Sequence, residues 1–192
     1  NGPRSGLGSA CFDGESALIH NAVDNSLVLD GTENTGHTTC LWFNRTGAFD
    51  TLFPTLLDGT GEIRFYAFFD DVSFNPHGLF PTDVRASPPS LADASQNTWT
   101  HVCATSEINQ PAYLYINGTV VSSETTASVM AGRPAQRPLS LGGSSDVSLH
   151  SGYGVDRGVR ACVSDVLLWG RALSAAEVQA VHQNYMSALM SL

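Results

Sequence analysis

The chain has 192 residues, a formal net charge of −9, and nine arginines with no lysine. Phosphate recognition needs a clustered basic patch and this sequence holds none, so nucleic acid and anionic lipid are excluded as partners. No run approaches the roughly 20 apolar residues of a membrane helix, and Asn1-Gly2-Pro3-Arg4 lacks the charged and apolar regions of a signal peptide, so no membrane insertion by this segment is expected.

The length suits a single domain, residues 1–192 with a core over about 10–186, expected to belong to a longer secreted or membrane-anchored protein. Cys11, Cys40, Cys103 and Cys162 include no C-x-x-C pair, which argues against a zinc ribbon or a thioredoxin-like site and for two disulfides made in an oxidising compartment. The N-x-[ST] sequons at Asn44 and Asn117 point the same way, to an extracellular or cell-surface setting with glycosylation at those asparagines.

Along the chain, short apolar segments recur between turn-rich stretches, at 17–19, 27–29, 38–43, 63–69, 99–105, 112–116, 119–122, 139–141 and 159–169. That is an all-β rhythm. Trp99, His101, Cys103 and Thr105 alternate with Thr100, Val102 and Ala104, so one face is expected to be buried and the other wetter. Asn117-Gly118, between Tyr113-Leu114-Tyr115-Ile116 and Val120-Val121, is the strongest hairpin signal, since both turn residues tolerate positive φ.

Residues 69–96 dissolve into Asp70-Asp71, Asn75-Pro76, Pro81 and Ser87-Pro88-Pro89-Ser90, and are expected to form a long surface loop region. A second irregular stretch, 142–158, carries His150, Tyr153 and Asp156. Loops of such length are often functional. The repeated Leu-Phe-Pro-Thr at 52–55 and 79–82 is too short to establish a structural repeat.

Near the end, Val166-Leu167-Leu168-Trp169 is an unbroken apolar run suited to a strand covered on both faces. Ser174 and Glu177 form an S-x-x-E capping box, so a helix should begin beside them. Val178, Val181, Tyr185, Ala188 and Leu189 then recur at helical spacing, which predicts one amphipathic helix covering a sheet edge or one end of a sandwich.

Four local patterns together carry a family resemblance: Ala10-Cys11-Phe12-Asp13-Gly14; Thr38-Thr39-Cys40-Leu41-Trp42-Phe43; Trp99-Thr100-His101-Val102-Cys103-Ala104-Thr105 followed by 113–118; and Leu139-Ser140-Leu141-Gly142-Gly143 leading to Asp165-Val166 and Leu173-Ser174. In this order the chain resembles the pentraxin and laminin-G-like branch of the concanavalin A-like jelly rolls, from about Cys11 to Tyr185. The resemblance implies an all-β sandwich of two antiparallel sheets with a short C-terminal helix. It also implies a Cys40–Cys103 disulfide, and parity then leaves Cys11 with Cys162, on first and last strands that are neighbours in this fold.

Pentraxins grip ligands through two calcium ions, but Gly143-Ser144-Ser145-Asp146 stands where that family carries Glu-Gln-Asp, and Thr60-Gly61, with Asp58 nearby, where it carries Asp-Asn. Many laminin-G-like jelly rolls instead hold one structural Ca2+, and the matching positions are Asp13 and Asp165. Without a metal, Asp13 would belong to an Asp-Gly turn and Asp165 would cap backbone amides near a bend. Asp146 and Asp156 offer an alternative loop site.

For catalysis there is no G-x-S-x-G elbow, H-E-x-x-H, phosphate loop or EF-hand loop. Asp13-Gly14-Glu15 lies at a turn, and the adjacent Asp70 and Asp71 would point to opposite faces of a strand, so neither pair suits a glycosidase. His101 alternates with core positions and reads as a framework residue rather than a base. The expectation is a non-enzymatic recognition or adhesion module binding glycan or extracellular protein, with Phe74, Asn75 and His77 in one loop and Tyr153 and Asp156 in the other as ligand-binding candidates. A structural packing domain of a filament, matrix or cell-surface assembly is one alternative, and a glycoside hydrolase or polysaccharide lyase the other.

Overall fold

The computed structural model describes residues 8–20, 36–47, 55–59, 63–68, 71–75, 84–86, 97–107, 110–124, 139–143 and 158–190. They form strands β1 (Ala10–Asp13), β2 (Leu18–His20), β3 (Gly36–Arg45), β4 (Thr55–Gly59), β5 (Ile63–Phe68), β6 (Asp71–Asn75), β7 (Val84–Ala86), β8 (Trp99–Glu107), β9 (Ala112–Ile116), β10 (Thr119–Glu124), β11 (Leu139–Leu141) and β12 (Arg160–Trp169), then helix α1 (Ala175–Met190). Two six-stranded sheets result, in the orders β1-β12-β3-β8-β9-β10 and β2-β11-β4-β5-β6-β7. All pairings among the described strands are antiparallel.

Period-two alternation sorts the residues of the first sheet. Leu41 and Phe43 of β3, Val102 and Ala104 of β8, Leu114 and Ile116 of β9, and Ala161 and Val163 of β12 join Leu56 of β4 in the cluster between the sheets. Their strand neighbours Cys40, Cys103 and Tyr115 form a second cluster with Leu173 and Val178. This second cluster corrects the expectation of a wetter face on β8, which is buried from Thr100 to Ser106. Helix α1 lies over that face, with His182 and Tyr185 against Trp42, rather than over a sheet edge or sandwich end.

The helix begins as its residues require. The Ser174 amide donates to Glu177 Oε2 at 2.8 Å, and the Glu177 amide donates to Ser174 Oγ at 3.3 Å, a reciprocal cap. Arg171 adds a two-point ion pair to the same carboxylate at 3.1 and 2.6 Å. Upstream, Thr38 Oγ1 donates to the Arg171 carbonyl and accepts from the Leu173 amide, both at 2.8 Å, which fixes the approach of α1 to β3.

The second sheet departs most from expectation. Residues 69–96 are not all loop, because they include β6 and β7. Asp71-Val72-Ser73-Phe74-Asn75 and Val84-Arg85-Ala86 each alternate polar with apolar, over spans too short to outweigh the Asp and Pro residues around them. β4 was not expected either, and residues 27–29 lie outside the described residues. On β12, Val166 to Trp169 are half-buried rather than covered on both faces. β1 pairs only with residues 160–163, so that end of β12 has one strand neighbour among the described residues.

Two backbone details shape the first sheet. Asn117 and Gly118 take φ of 50° and 78°, the positive values of the expected tight hairpin. Asp165 has φ of 50°, at a bulge where Ser164 to Leu167 on β12 oppose only Trp42 to Cys40 on β3.

Candidate functional site

Beneath α1 the sheet presents an aromatic seat. Trp42 and His101 are direct cross-strand partners on β3 and β8, with ring centroids 5.0 Å apart. From the helix, His182 stacks on Trp42 at 5.5 Å and lies 5.4 Å from His101, while Tyr185 lies 5.8 Å from Trp42 and 6.5 Å from His101. Two residues before Trp42 and two after His101, on the same face, Cys40 and Cys103 are joined, with Cα atoms 4.1 Å apart and both side chains fully buried.

Burial, reinforced by the neighbouring His182, pushes the His101 imidazole down to about 3. Burial also lowers His182. His101 Nε2 lies 3.6 Å from Cys103 Sγ, but His101 Nδ1, His182 Nδ1 and Trp42 Nε1 are buried with no hydrogen-bond partner among the described residues. His101 is thus a framework residue, as expected, although one ring nitrogen is unsatisfied. Cys40, His101 and Cys103 offer ligand atoms within 4.8 Å of one another, but as a cystine the two sulfurs are not thiolate ligands.

The sequence reading has His101 as a framework residue, the two cysteines as a bridge and Tyr185 on the packing face of the helix, but not their meeting with Trp42 and His182. The usable signals were the shared alternation of Trp42 with Cys40 and of His101 with Cys103, and the helical spacing that sets His182 and Tyr185 beside Val178 and Val181.

The second implied disulfide, Cys11–Cys162, is also present, with Cα atoms 3.9 Å apart on directly paired residues of β1 and β12. The two carboxylates expected to share calcium are not brought together. Asp13 stands opposite Arg160, whereas Asp165 lies five residues further along β12, about 16 Å at the rise of a strand. Asp13 Oδ1 accepts from the Glu15 amide at 3.0 Å, the Ser16 amide at 3.0 Å and the Ser16 hydroxyl at 2.8 Å. These donors, the Glu15 amide foremost, hold its carboxyl below the usual range. Asp165 Oδ2 accepts from Ser164 Oγ at 2.8 Å. As a pair they do not fit one calcium ion.

Phe74 and Asn75 lie on β6, not in a loop. Cross-strand register separates them. Phe74 falls in the row Leu18, Leu141, Leu57, Phe65, Phe74, Val84, which includes the core-packed Leu141, and Asn75 falls in the next row, Ile19, Ser140, Asp58, Arg64, Asn75. His77, Tyr153, Asp156, Asp146 and Thr60-Gly61 lie outside the described residues. Of the sequons, Asn44 sits half-buried on β3 between β12 and β8, and Asn117 sits in the hairpin, its Oδ1 accepting from the His101 amide at 3.1 Å.

The two antiparallel six-stranded sheets define a jelly-roll sandwich. A laminin-G-type family model, described as the concanavalin A-like lectin/glucanases superfamily, matches residues 16–179, and the chain belongs to that superfamily. No curated protein matches the sequence. Among solved structures the chain is similar to botulinum neurotoxin type C, in work on its interaction with two ganglioside molecules, with a TM-score of 0.65 and 12% identity over 88% of this chain and 40% of that one. It is similar to the binding domain of botulinum neurotoxin DC in complex with rat synaptotagmin II, at 0.62 and 11% over 93% and 45%. The same binding domain in complex with SialylT gives 0.59 and 11% over 79% and 36%. The chain spans less than half the length of these neighbours, and at such identity the likeness is one of fold.

Proposed function

We propose that the chain is a non-enzymatic recognition module of an extracellular or cell-surface protein, binding a glycan or a protein through its second sheet and the flanking loops. One observation carries the reading. While α1 occupies the outer face of the first sheet, the second sheet collects polar residues in the two register rows that flank the Phe65–Phe74 row, Asp58, Arg64 and Asn75 in one and Tyr66, Ser73 and Arg85 in the other, whereas Ser140, at the β11 end of the first, is fully buried and donates to the Gly143 carbonyl. Amide, carboxylate, guanidinium and phenol groups suit a ligand rich in hydroxyls with an apolar ring face. Asn75 belongs to this surface, and His77, Tyr153 and Asp156 are proposed as loop contributors; Phe74, in the apolar row, is not.

Two lines support the reading. The neurotoxin neighbours are binding domains solved in complex with SialylT and with rat synaptotagmin II. Two cystines also suit an oxidising compartment, and among the described residues no helix is long and apolar enough to cross a membrane. A glycan array probed with the 192-residue chain tests the proposal. Binding to one glycan class is expected, weakened at least about tenfold, some 1.4 kcal/mol, by Arg64→Ala or Asn75→Ala. Silence across the array with concentration-dependent self-association in sedimentation would move the reading to a packing domain.

A further inference from the structure

We propose that helix α1 is an acid-released cover: protonation of His101, which the seated helix seals from water beside the half-buried His182, lifts α1 off the first sheet and uncovers the face carrying Trp42, Tyr115 and the Cys40–Cys103 cystine. This goes beyond the recognition reading and does not use the second sheet.

The seat is poorly suited to a charged imidazole. A protonated ring donates from both nitrogens, and the groups in contact with the pair are the Trp42 ring from β3, Cys103 Sγ from β8, Gly118 from the hairpin and the Tyr185 ring from α1, with Cys40 and Tyr115 beyond them in the cluster around Cys103. Among the described residues the one charge bearing on His101 is that of His182 itself, and none relieves His182. Glu177, the carboxylate of the first helical turn, is engaged by Arg171 and Ser174. Two imidazolium rings with centroids 5.4 Å apart would repel each other. The unpartnered Trp42 Nε1, His101 Nδ1 and His182 Nδ1 already weaken the closed state, and all three gain water when the helix lifts.

Opening at this point is local. β3 and β8 are inner strands, paired on both sides and bridged by the cystine, whereas α1 is joined to β12 by the segment 170–174 and holds the sheet by side-chain packing. Water therefore reaches His101 most cheaply by displacement of the helix. His101 is depressed to about 3 when covered and returns to its ordinary value near 6.5 when open. The cover is thus fully stable above about 6.5 and loses stability as pH falls from there toward 3.

Amide hydrogen exchange, corrected for the intrinsic effect of pH on exchange, tests this on the intact chain with both cystines closed. Between pH 7 and pH 5 the opening of α1 amides should rise about 25-fold while amides of β3 and β8 keep their protection. His101→Phe should remove most of that rise and His182→Phe part of it. A wild-type rise below about threefold, a parallel rise in β3 and β8, or an undiminished rise in a folded His101→Phe variant would each overturn the proposal. The wild-type profile decides the matter even if a variant does not fold.

Discussion

The centre and the rim of the first sheet are both cross-linked, yet they are held by different physics. At the centre, the Cys40–Cys103 cystine is fully buried, with core on one face of the sheet and α1 on the other. At the rim, Cys11 is exposed on edge strand β1, and its bridge to Cys162 closes a sequence separation of 151 against 63 at the centre. Loop entropy alone ranks the rim bridge ahead, at about 5 against about 4 kcal/mol. Packing reverses that order, because removing two buried sulfurs leaves a cavity that α1 and the sheet do not readily fill.

The sharpest way to break this comparison is to remove each bridge separately. Cys40→Ala with Cys103→Ala should cost about 6 kcal/mol in denaturant unfolding, and Cys11→Ala with Cys162→Ala no more than about 5. A larger loss at the rim would mean that loop length, not burial, sets what each bridge contributes. The next effect concerns how the rim holds without depth. Gly142 has φ of 80°, its amide donates to the Leu56 carbonyl at 3.1 Å, and its own carbonyl accepts from the Val159 amide at 3.1 Å. A Cβ there would run into the Phe12 ring of β1. Gly142→Ala should therefore destabilise by about 3 kcal/mol, combining left-handed strain with overpacking. A chemical melt of this variant within about 1 kcal/mol of wild type would show that β1 yields rather than locks.

The same contrast explains what could be read from the sequence. Centre and rim cysteines sit in distinct local patterns, so the family resemblance paired all four correctly, and Asn117-Gly118 and Ser174 with Glu177 announce their turn and cap through neighbouring residues. The aromatic seat was not legible, because Trp42, His101, His182 and Tyr185 come from three elements and meet only once α1 folds back on the sheet. β6 and β7 were hidden for another reason: each is short, and Asp71 or Arg85 on the alternate position reads locally as a loop. The placement of Asp13 relative to Asp165 was not legible either, because the resemblance makes β1 and β12 neighbours without giving their register, and the register puts Asp13 beside Arg160 instead of Asp165.

The smallest expected effect sharpens the comparison from the side of the cover. Ser174 Oγ accepts from the Glu177 amide at 3.3 Å, and the Glu177 carboxylate, held down to about 2 chiefly by Arg171, returns the bond to the Ser174 amide at 2.8 Å. Ser174→Ala deletes the first of these and leaves the second, together with the Arg171 pair, in place. A loss of about 1 kcal/mol is expected, the usual value of an N-cap side chain. Because the cap belongs to α1 alone, the loss should register as faster exchange of helix amides, with Cys11–Cys162 no easier to reduce by a soluble dithiol. If the rim bridge became more reducible in step with the helix, cover and rim would be one cooperative unit, and the division between a packed centre and a locked edge would have to be abandoned.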